Sequence, residues 1–96
     1  MSDSTLSVYV ISVAAEMVGT GVQNLRAYER AGLVTPGRTA GGTRMYSGAD
    51  ITRLRRVAAL LEAGLNLAGI AMVLELEEEN TRLRTRLKNG RRAETP

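Results

Sequence analysis

The chain has 96 residues without Cys or His, so it is one small domain that excludes disulfides, thiolate or imidazole metal sites and Cys- or His-based catalytic centres. Its net charge is +3, and its basic residues are 12 Arg and one Lys, a bias that favours phosphate and guanine contacts. No apolar run or N-terminal pattern indicates a membrane span or a secretory signal. We therefore predict a cytoplasmic protein without catalytic activity, cofactor or metal.

Local signals along the first third of the chain predict a helix-turn-helix. The apolar segment at residues 7–11 is a lead-in that could pack on the core, and Ser12 is the expected N-cap of a first helix. A Gly-Thr-Gly turn at 19–21 separates it from a second helix, which stops at Gly32. Two short helices around a tight turn are typical of a helix-turn-helix, although any small helical hairpin can show this pattern.

The next segment predicts a β-hairpin in the position of a wing. Two β-capable stretches, 33–38 and 43–46, flank a Gly-Gly turn. Ser47 and Asp50 then have the spacing of a capping box for a third helix. The inward stripe of that helix is expected to be Ile51, Leu54, Ala58 and Leu61.

The last helix changes character along its length. It begins after Asn66, a candidate N-cap, and its later positions alternate steps of three and four, which indicates a coiled-coil seam used for dimerisation. The seam residues are Val73, Leu76, Asn80, Leu83 and Leu87. The predicted organisation is a winged helix-turn-helix DNA-binding domain at 8–72, a coiled-coil dimerisation segment at 73–89, and loose tails at 1–7 and 90–96.

Charges beside this seam predict the orientation of the coil. Acidic residues cluster at 75–79 and basic residues at 82–88. A parallel pair would stack each block on its own copy, whereas an antiparallel pair lays acid along base at both ends. We therefore expect an antiparallel homodimer centred close to Asn80.

Several strings resemble the DNA-binding domain of the MerR superfamily. They are N-L-R-A-Y-E-R-A-G-L-V in the second helix, R-T-A-G-G-T-R-M-Y-S in the wing, and the helix that follows. The strings I-S-V-A-A-E, N-L-A-G-I and L-E-L are similar to the heat-shock repressor (HspR) branch, and the resemblance extends from Val8 to about Leu87. It implies a mainly α winged helix-turn-helix with a C-terminal dimerisation helix. It also implies a repressor of chaperone operons that binds an inverted repeat, with a DnaK-type chaperone as a possible co-repressor.

Basic charge is concentrated between residues 20 and 60, where seven Arg accompany two acidic residues for a local net charge of +5. Solvated surfaces usually mix both signs, so this segment indicates a polyanionic partner. The three Tyr are too few for a platform of stacked single-stranded bases, and we expect a nucleoid-associated protein that contacts double-stranded DNA. The predicted contact residues are Gln23, Asn24, Arg26, Tyr28, Arg30, Arg38, Arg44, Tyr46 and Arg53.

These assignments have structural alternatives. The polar face of the second helix could be merely solvated, Tyr28 could pack in the core as readily as it contacts phosphate, and Arg30 could complement the helix dipole. The wing arginines could serve solubility, and the basic cluster at 53–56 could be a solvated face rather than a phosphate-steering one. The functional alternatives are an architectural or excisionase-like DNA-bending protein and a protein-interaction module or small enzyme. Salt-dependent affinity for duplex DNA separates these classes.

Overall fold

The computed structural model describes residues 6–94, with side chains described through residue 90. It is mainly helical, as predicted, with a small antiparallel sheet. The elements in chain order are β1 (Ser7–Val10), α1 (Ile11–Val18), α2 (Val22–Arg30), β2 (Gly37–Arg38), β3 (Arg44–Ser47), α3 (Gly48–Glu62) and α4 (Leu67–Glu94).

Helices α1 and α2 form the predicted helix-turn-helix. Gly19 closes α1 with a φ of 84° and donates its N–H to the Ala15 carbonyl at 2.9 Å, a left-handed conformation that favours glycine. The N-cap of α1 is Val10, without a side-chain cap, so the predicted Ser12 cap is wrong. Because β1 runs directly into the helix, Ser12 already lies inside the first turn.

Three strands form one antiparallel sheet in the order β1-β3-β2. Strands β2 and β3 form the predicted wing hairpin, in which Arg38 pairs with Arg44. Strand β2 is limited to Gly37–Arg38, shorter than the predicted stretch 33–38, because Leu33 and Val34 are buried in the core. Strand β1 belongs to the lead-in that was expected only to pack on the core. It pairs Tyr9 with Tyr46 and thereby makes β3 the central strand. Four residues are too few for alternation to identify a strand from sequence.

The core joins α1, α2, the sheet, α3 and the start of α4. Helix α3 opens with the predicted capping box, in which Ser47 and Asp50 exchange backbone-to-side-chain hydrogen bonds of 3.0 Å. Two residues expected to face inward, Ala58 and Leu61, are only half-buried. The expected stripe is corrected because α3 packs against α1, β3 and α4 rather than against one surface, so its buried positions wind around the helix. The buried residues of α3 are Ile51, Leu54, Val57 and Leu60.

Helix α4 begins in the core and then projects from it. Asn66 accepts a hydrogen bond from the Gly69 N–H at 2.8 Å, as expected of an N-cap. The helix has 28 residues, which makes it about 42 Å long, and every side chain at 78–90 is exposed. The radius of gyration of 16.0 Å therefore exceeds the about 12.5 Å expected of a compact chain of this length.

The ends of the chain differ in part from the predicted tails. Helix α4 continues through residues 90–94, past its predicted end at 89, because the Asn-Gly pair does not interrupt it. Ser7 belongs to β1. The predicted tails at 1–5 and 95–96 lie outside the described residues. None of the helices in the described part of the chain is long and apolar enough to cross a membrane.

Candidate nucleic-acid interface

The outer face of α2 presents polar side chains to solvent. Its inner face buries Leu25, while the four predicted contact residues on the other side are exposed. Asn24 donates to the Thr20 hydroxyl at 2.7 Å, which ties its amide to the turn before the helix. Arg26 and Arg30 make no ion pair with any residue that the structure describes. The exposed residues of this face are Gln23, Asn24, Arg26 and Arg30.

Glu29 of α2 holds both arginines of the wing. Its Oε1 accepts a hydrogen bond from Arg44 Nε at 2.5 Å, and its Oε2 accepts one from Arg38 Nη2 at 3.1 Å. Arg38 also donates to the Gly42 carbonyl at 3.1 Å, across the hairpin turn. Both arginines stay partly exposed. The wing is therefore oriented by the same helix that presents the polar face, a role of Glu29 that the sequence analysis missed.

Two predicted contact residues belong to the core instead. Tyr28 is 5% exposed and Tyr46 is completely buried, and the Tyr46 hydroxyl has no hydrogen-bond partner among the described residues. Burial, followed by the charge of Glu29, raises the pKa of Tyr46. Tyr46, at the base of the wing, was expected to combine packing with a phosphate contact. The packing is observed, and the phosphate contact is corrected because β3 is the central strand of a three-stranded sheet and this side chain is completely buried. For Tyr28 the packing alternative is the one observed.

Two arginines of α3 bind other parts of the molecule. Arg53 donates from Nε to the Leu33 carbonyl at 2.5 Å and from Nη1 to Glu78 of α4. Arg56 forms a two-point pair with Glu77, at 3.2 and 2.7 Å. These hydrogen bonds lower the pKa of Glu77 and raise the pKa of Arg56. The guanidinium of Arg53 is shared between a carbonyl and a carboxylate, which favours a structural role, and its DNA contact stays a prediction.

The third arginine of this cluster, Arg55, binds the end of α1. Its Nε and Nη2 donate to the Met17 carbonyl at 3.3 and 3.2 Å, near the end of that helix, where a cation complements the dipole. The basic cluster of α3 was expected to steer phosphate or to be solvated. In the structure its three arginines join α3 to its neighbours, and phosphate steering stays a prediction.

The predicted seam lies on the projecting part of α4. Leu76, Leu83 and Leu87 are 66%, 50% and 61% exposed. Asn80 is exposed between them, and Val73 is half-buried against the core. A row of large apolar side chains in solvent is typical of a surface that another protein covers. Dimerisation through this row stays a prediction.

A comparison with known protein families identifies the family of this chain. The description "MerR HTH family regulatory protein" matches residues 9–77. The chain belongs to the MerR family. A candidate heat shock protein, HspR, of Streptomyces coelicolor is 52% identical over 80 residues, which are 82% of this chain and 53% of that protein. The HTH-type transcriptional regulator GlnR of Bacillus anthracis is 36% identical over 73 residues, 76% of this chain and 57% of that protein. The chain spans about half the length of these curated relatives.

Solved MerR structures share the architecture. HiNmlR, a MerR family regulator that lacks the sensor domain and was crystallised with promoter DNA, has a TM-score of 0.67 at 27% identity, covering 86% of this chain and 70% of that chain. The transcription regulator PbrR691 from Ralstonia metallidurans, solved with lead(II), has a TM-score of 0.70 at 23% identity, covering 91% and 80%. At that identity it supports the fold alone. The predicted resemblance to HspR-like MerR proteins and the predicted fold are thus confirmed.

Proposed function

We propose that this MerR family member binds double-stranded DNA as a homodimer and represses transcription from an inverted-repeat operator. The main support is the exposed polar face of α2 beside a wing that Glu29 holds in place. Asn and Gln side chains can pair with adenine edges and Arg with guanine when such a helix enters the major groove. The wing arginines then reach the backbone or the minor groove.

A selection of duplexes from a random pool tests this function. We expect the recovered sequences to be inverted repeats whose half-sites lie about 10.5 bp apart or a multiple of that distance. In anisotropy titrations, the logarithm of the binding constant should fall linearly with the logarithm of the salt concentration. Tight binding with strong bending and no sequence enrichment would instead support the architectural alternative. Absence of salt-dependent binding would contradict any role on DNA.

The projecting part of α4 is the proposed dimerisation element. An isolated helix of about 12–15 residues is marginal in water, so the exposed helix at 78–90 needs a partner to stay ordered. We propose an antiparallel pair centred near Asn80, with the acidic block of one copy along the basic block of the other. Leu83→Asp should yield monomers with a folded winged domain and without tight operator binding, as measured by sedimentation, circular dichroism and titration. A dimeric variant would contradict this seam.

Spin labels test the orientation of the two α4 helices. Lys88→Cys introduces the only thiol of the chain on the exposed part of α4. Labels at this position should lie about 24 Å apart along the helix axis in an antiparallel dimer centred on Asn80. In a parallel dimer they would be separated by only about 10 Å, the distance between packed helices. The shorter distance in a pulsed dipolar measurement would overturn the antiparallel arrangement.

The resemblance to the HspR branch suggests which genes the protein regulates. Identity of 52% to a candidate HspR heat shock protein supports membership of the HspR branch, and for that branch we propose chaperone operons as targets and a DnaK-type chaperone as co-repressor. Genome-wide mapping of protected DNA should find this protein upstream of chaperone genes. Adding purified DnaK-type chaperone to an operator titration should tighten binding. Protection confined to other promoters, or affinity unchanged by the chaperone, would contradict the respective part of this proposal.

A further inference from the structure

Arg53 joins two elements that lie on different sides of α3. Its Nε donates to the Leu33 carbonyl, and Leu33 donates its own N–H to the Tyr28 carbonyl at 2.9 Å, so it is attached to the end of α2. The Nη1 of Arg53 donates to Glu78 of α4. A single guanidinium therefore connects the end of the helix that presents the polar face to the helix that projects from the domain.

The partner carboxylates lie where α4 leaves the domain. Leu74 is buried at 5% exposure, and among the described residues of α4 no buried side chain follows it. Glu77 and Glu78 come one turn later and meet Arg56 and Arg53. In the described part of the chain, these two pairs are the outermost polar contacts between the domain and α4.

We propose that Arg53, supported by Arg56, is a positioning residue that determines which half-site spacing the dimer accepts. This inference rests on the proposed function, because it requires a dimer formed through α4 on an inverted repeat. In such a dimer each α2 helix is connected to the coil through the junction between α4 and its domain. The stiffness of that junction then sets how well the protein distinguishes neighbouring spacings.

The geometry of DNA explains why the junction between α4 and the domain must resist rotation as well as separation. One base pair inserted between two half-sites moves them about 3.4 Å apart and rotates them by about 34°. Apolar burial at Leu74 resists separation but has no preferred direction. The guanidinium of Arg53 donates along two fixed directions and therefore constrains orientation. A Lys ammonium cannot replace both donors. Exposed ion pairs add little to stability, so the effect is expected in DNA selectivity rather than in folding.

The first test uses a substitution that conserves charge. Arg53→Lys is compared with Arg82→Lys, because among the described residues Arg82 pairs only with Glu79 of α4. Both variants and the wild type are titrated against the selected inverted repeat, against the same duplex with one or two base pairs added or removed between half-sites, and against a single half-site. Arg53→Lys should reduce the preference for the selected spacing by about fivefold, the most that one exposed ion pair contributes. Its half-site affinity and melting temperature should match those of Arg82→Lys, which should keep the wild-type preference.

The second test removes the partner instead of the arginine. Glu78→Gln and Glu75→Gln delete the same charge from the same acidic block, but only Glu78 reaches α3. The spacing preference should weaken in Glu78→Gln alone. If Arg53→Lys and Glu78→Gln both keep the wild-type preference, the inference is overturned. It is also overturned if Arg53→Lys weakens binding to every duplex and to the single half-site by the same factor, which would make Arg53 a direct DNA contact. If the wild type selects no inverted repeat, the proposed function falls together with the inference.

Discussion

Helices α2 and α3 both carry arginines on their outer surfaces, but the groups beside those arginines differ. Arg26 and Arg30 of α2 make no ion pair with the described residues, whereas Arg53, Arg55 and Arg56 of α3 each bind a carbonyl or a carboxylate. A guanidinium with such partners must break its present hydrogen bonds before the same N–H groups can contact phosphate. The arginines of α3 therefore give internal support, whereas those of α2 are the ones that we propose to contact DNA.

The largest expected effect is on the α2 side of this comparison. Arg26→Ala should weaken specific operator binding by about 1–3 kcal/mol if the guanidinium contacts a base in two places. The measurement is an anisotropy titration with the selected duplex and a scrambled duplex of the same length. Specific binding should fall more than binding to the scrambled duplex. Equal losses would assign Arg26 to phosphate, and unchanged affinity for both duplexes would remove it from the interface.

The wing is an intermediate case, because its arginines are paired and still partly exposed. Arg44→Ala should weaken binding to every duplex by no more than about 1 kcal/mol, since Glu29 already offsets part of that charge. The magnitude of the slope of the logarithm of the binding constant against the logarithm of the salt concentration should decrease by about 1. Glu29→Gln is the matched opposite change. It leaves both arginines in place and should raise affinity for the scrambled duplex. A loss of affinity in both variants would mean that wing orientation matters more than wing charge.

Local patterns in the sequence predicted most of the fold but only part of the site. The capping box at Ser47 and Asp50 was predictable because its partners are three residues apart. The pairing of Tyr9 with Tyr46 was not, because β1 is four residues long and its partner strand is remote in sequence. The complete burial of Tyr46 follows from that pairing, so the phosphate contact expected beside its packing was wrong for the same reason.

Sequence periodicity identifies which face of a helix is polar, but it does not identify the partner of a charged side chain. It placed Arg26 correctly on an exposed face of α2. It could not show that Arg53 reaches Leu33 and Glu78, which are 20 and 25 residues away. The one available signal for Glu29 was a lone acidic residue in a helix otherwise rich in Arg, within a segment of net charge +5.

For α3 we expect a smaller effect, which concerns the stability of the fold instead of DNA binding. Arg55→Ala removes the donor that satisfies the Met17 carbonyl near the end of α1. The free energy of unfolding should fall by about 0.3–1 kcal/mol, the range for a cation at a helix C-terminus. Urea denaturation measures this change, and Arg55→Lys should recover part of it. Operator affinity should be unaffected. If affinity fell in Arg55→Ala while stability did not, α3 would contact DNA and the two helices would share one role.

The smallest expected effect concerns the pH dependence of the Arg56–Glu77 pair. Hydrogen bonds from Arg56 hold the pKa of Glu77 below its ordinary value of 4.5. A carboxyl whose pKa is lower in the folded state stabilises the fold above its unfolded-state pKa, and this contribution is lost as the pH falls through the folded-state value. The melting temperature of the wild type should therefore exceed that of Glu77→Gln at neutral pH, and the difference should close in acid below that ordinary value. Glu75→Gln is the control, since Glu75 has no ion pair with the described residues. A difference that stays constant with pH would show that Glu77 acts through packing, and α3 would then hold α4 without this charged contact.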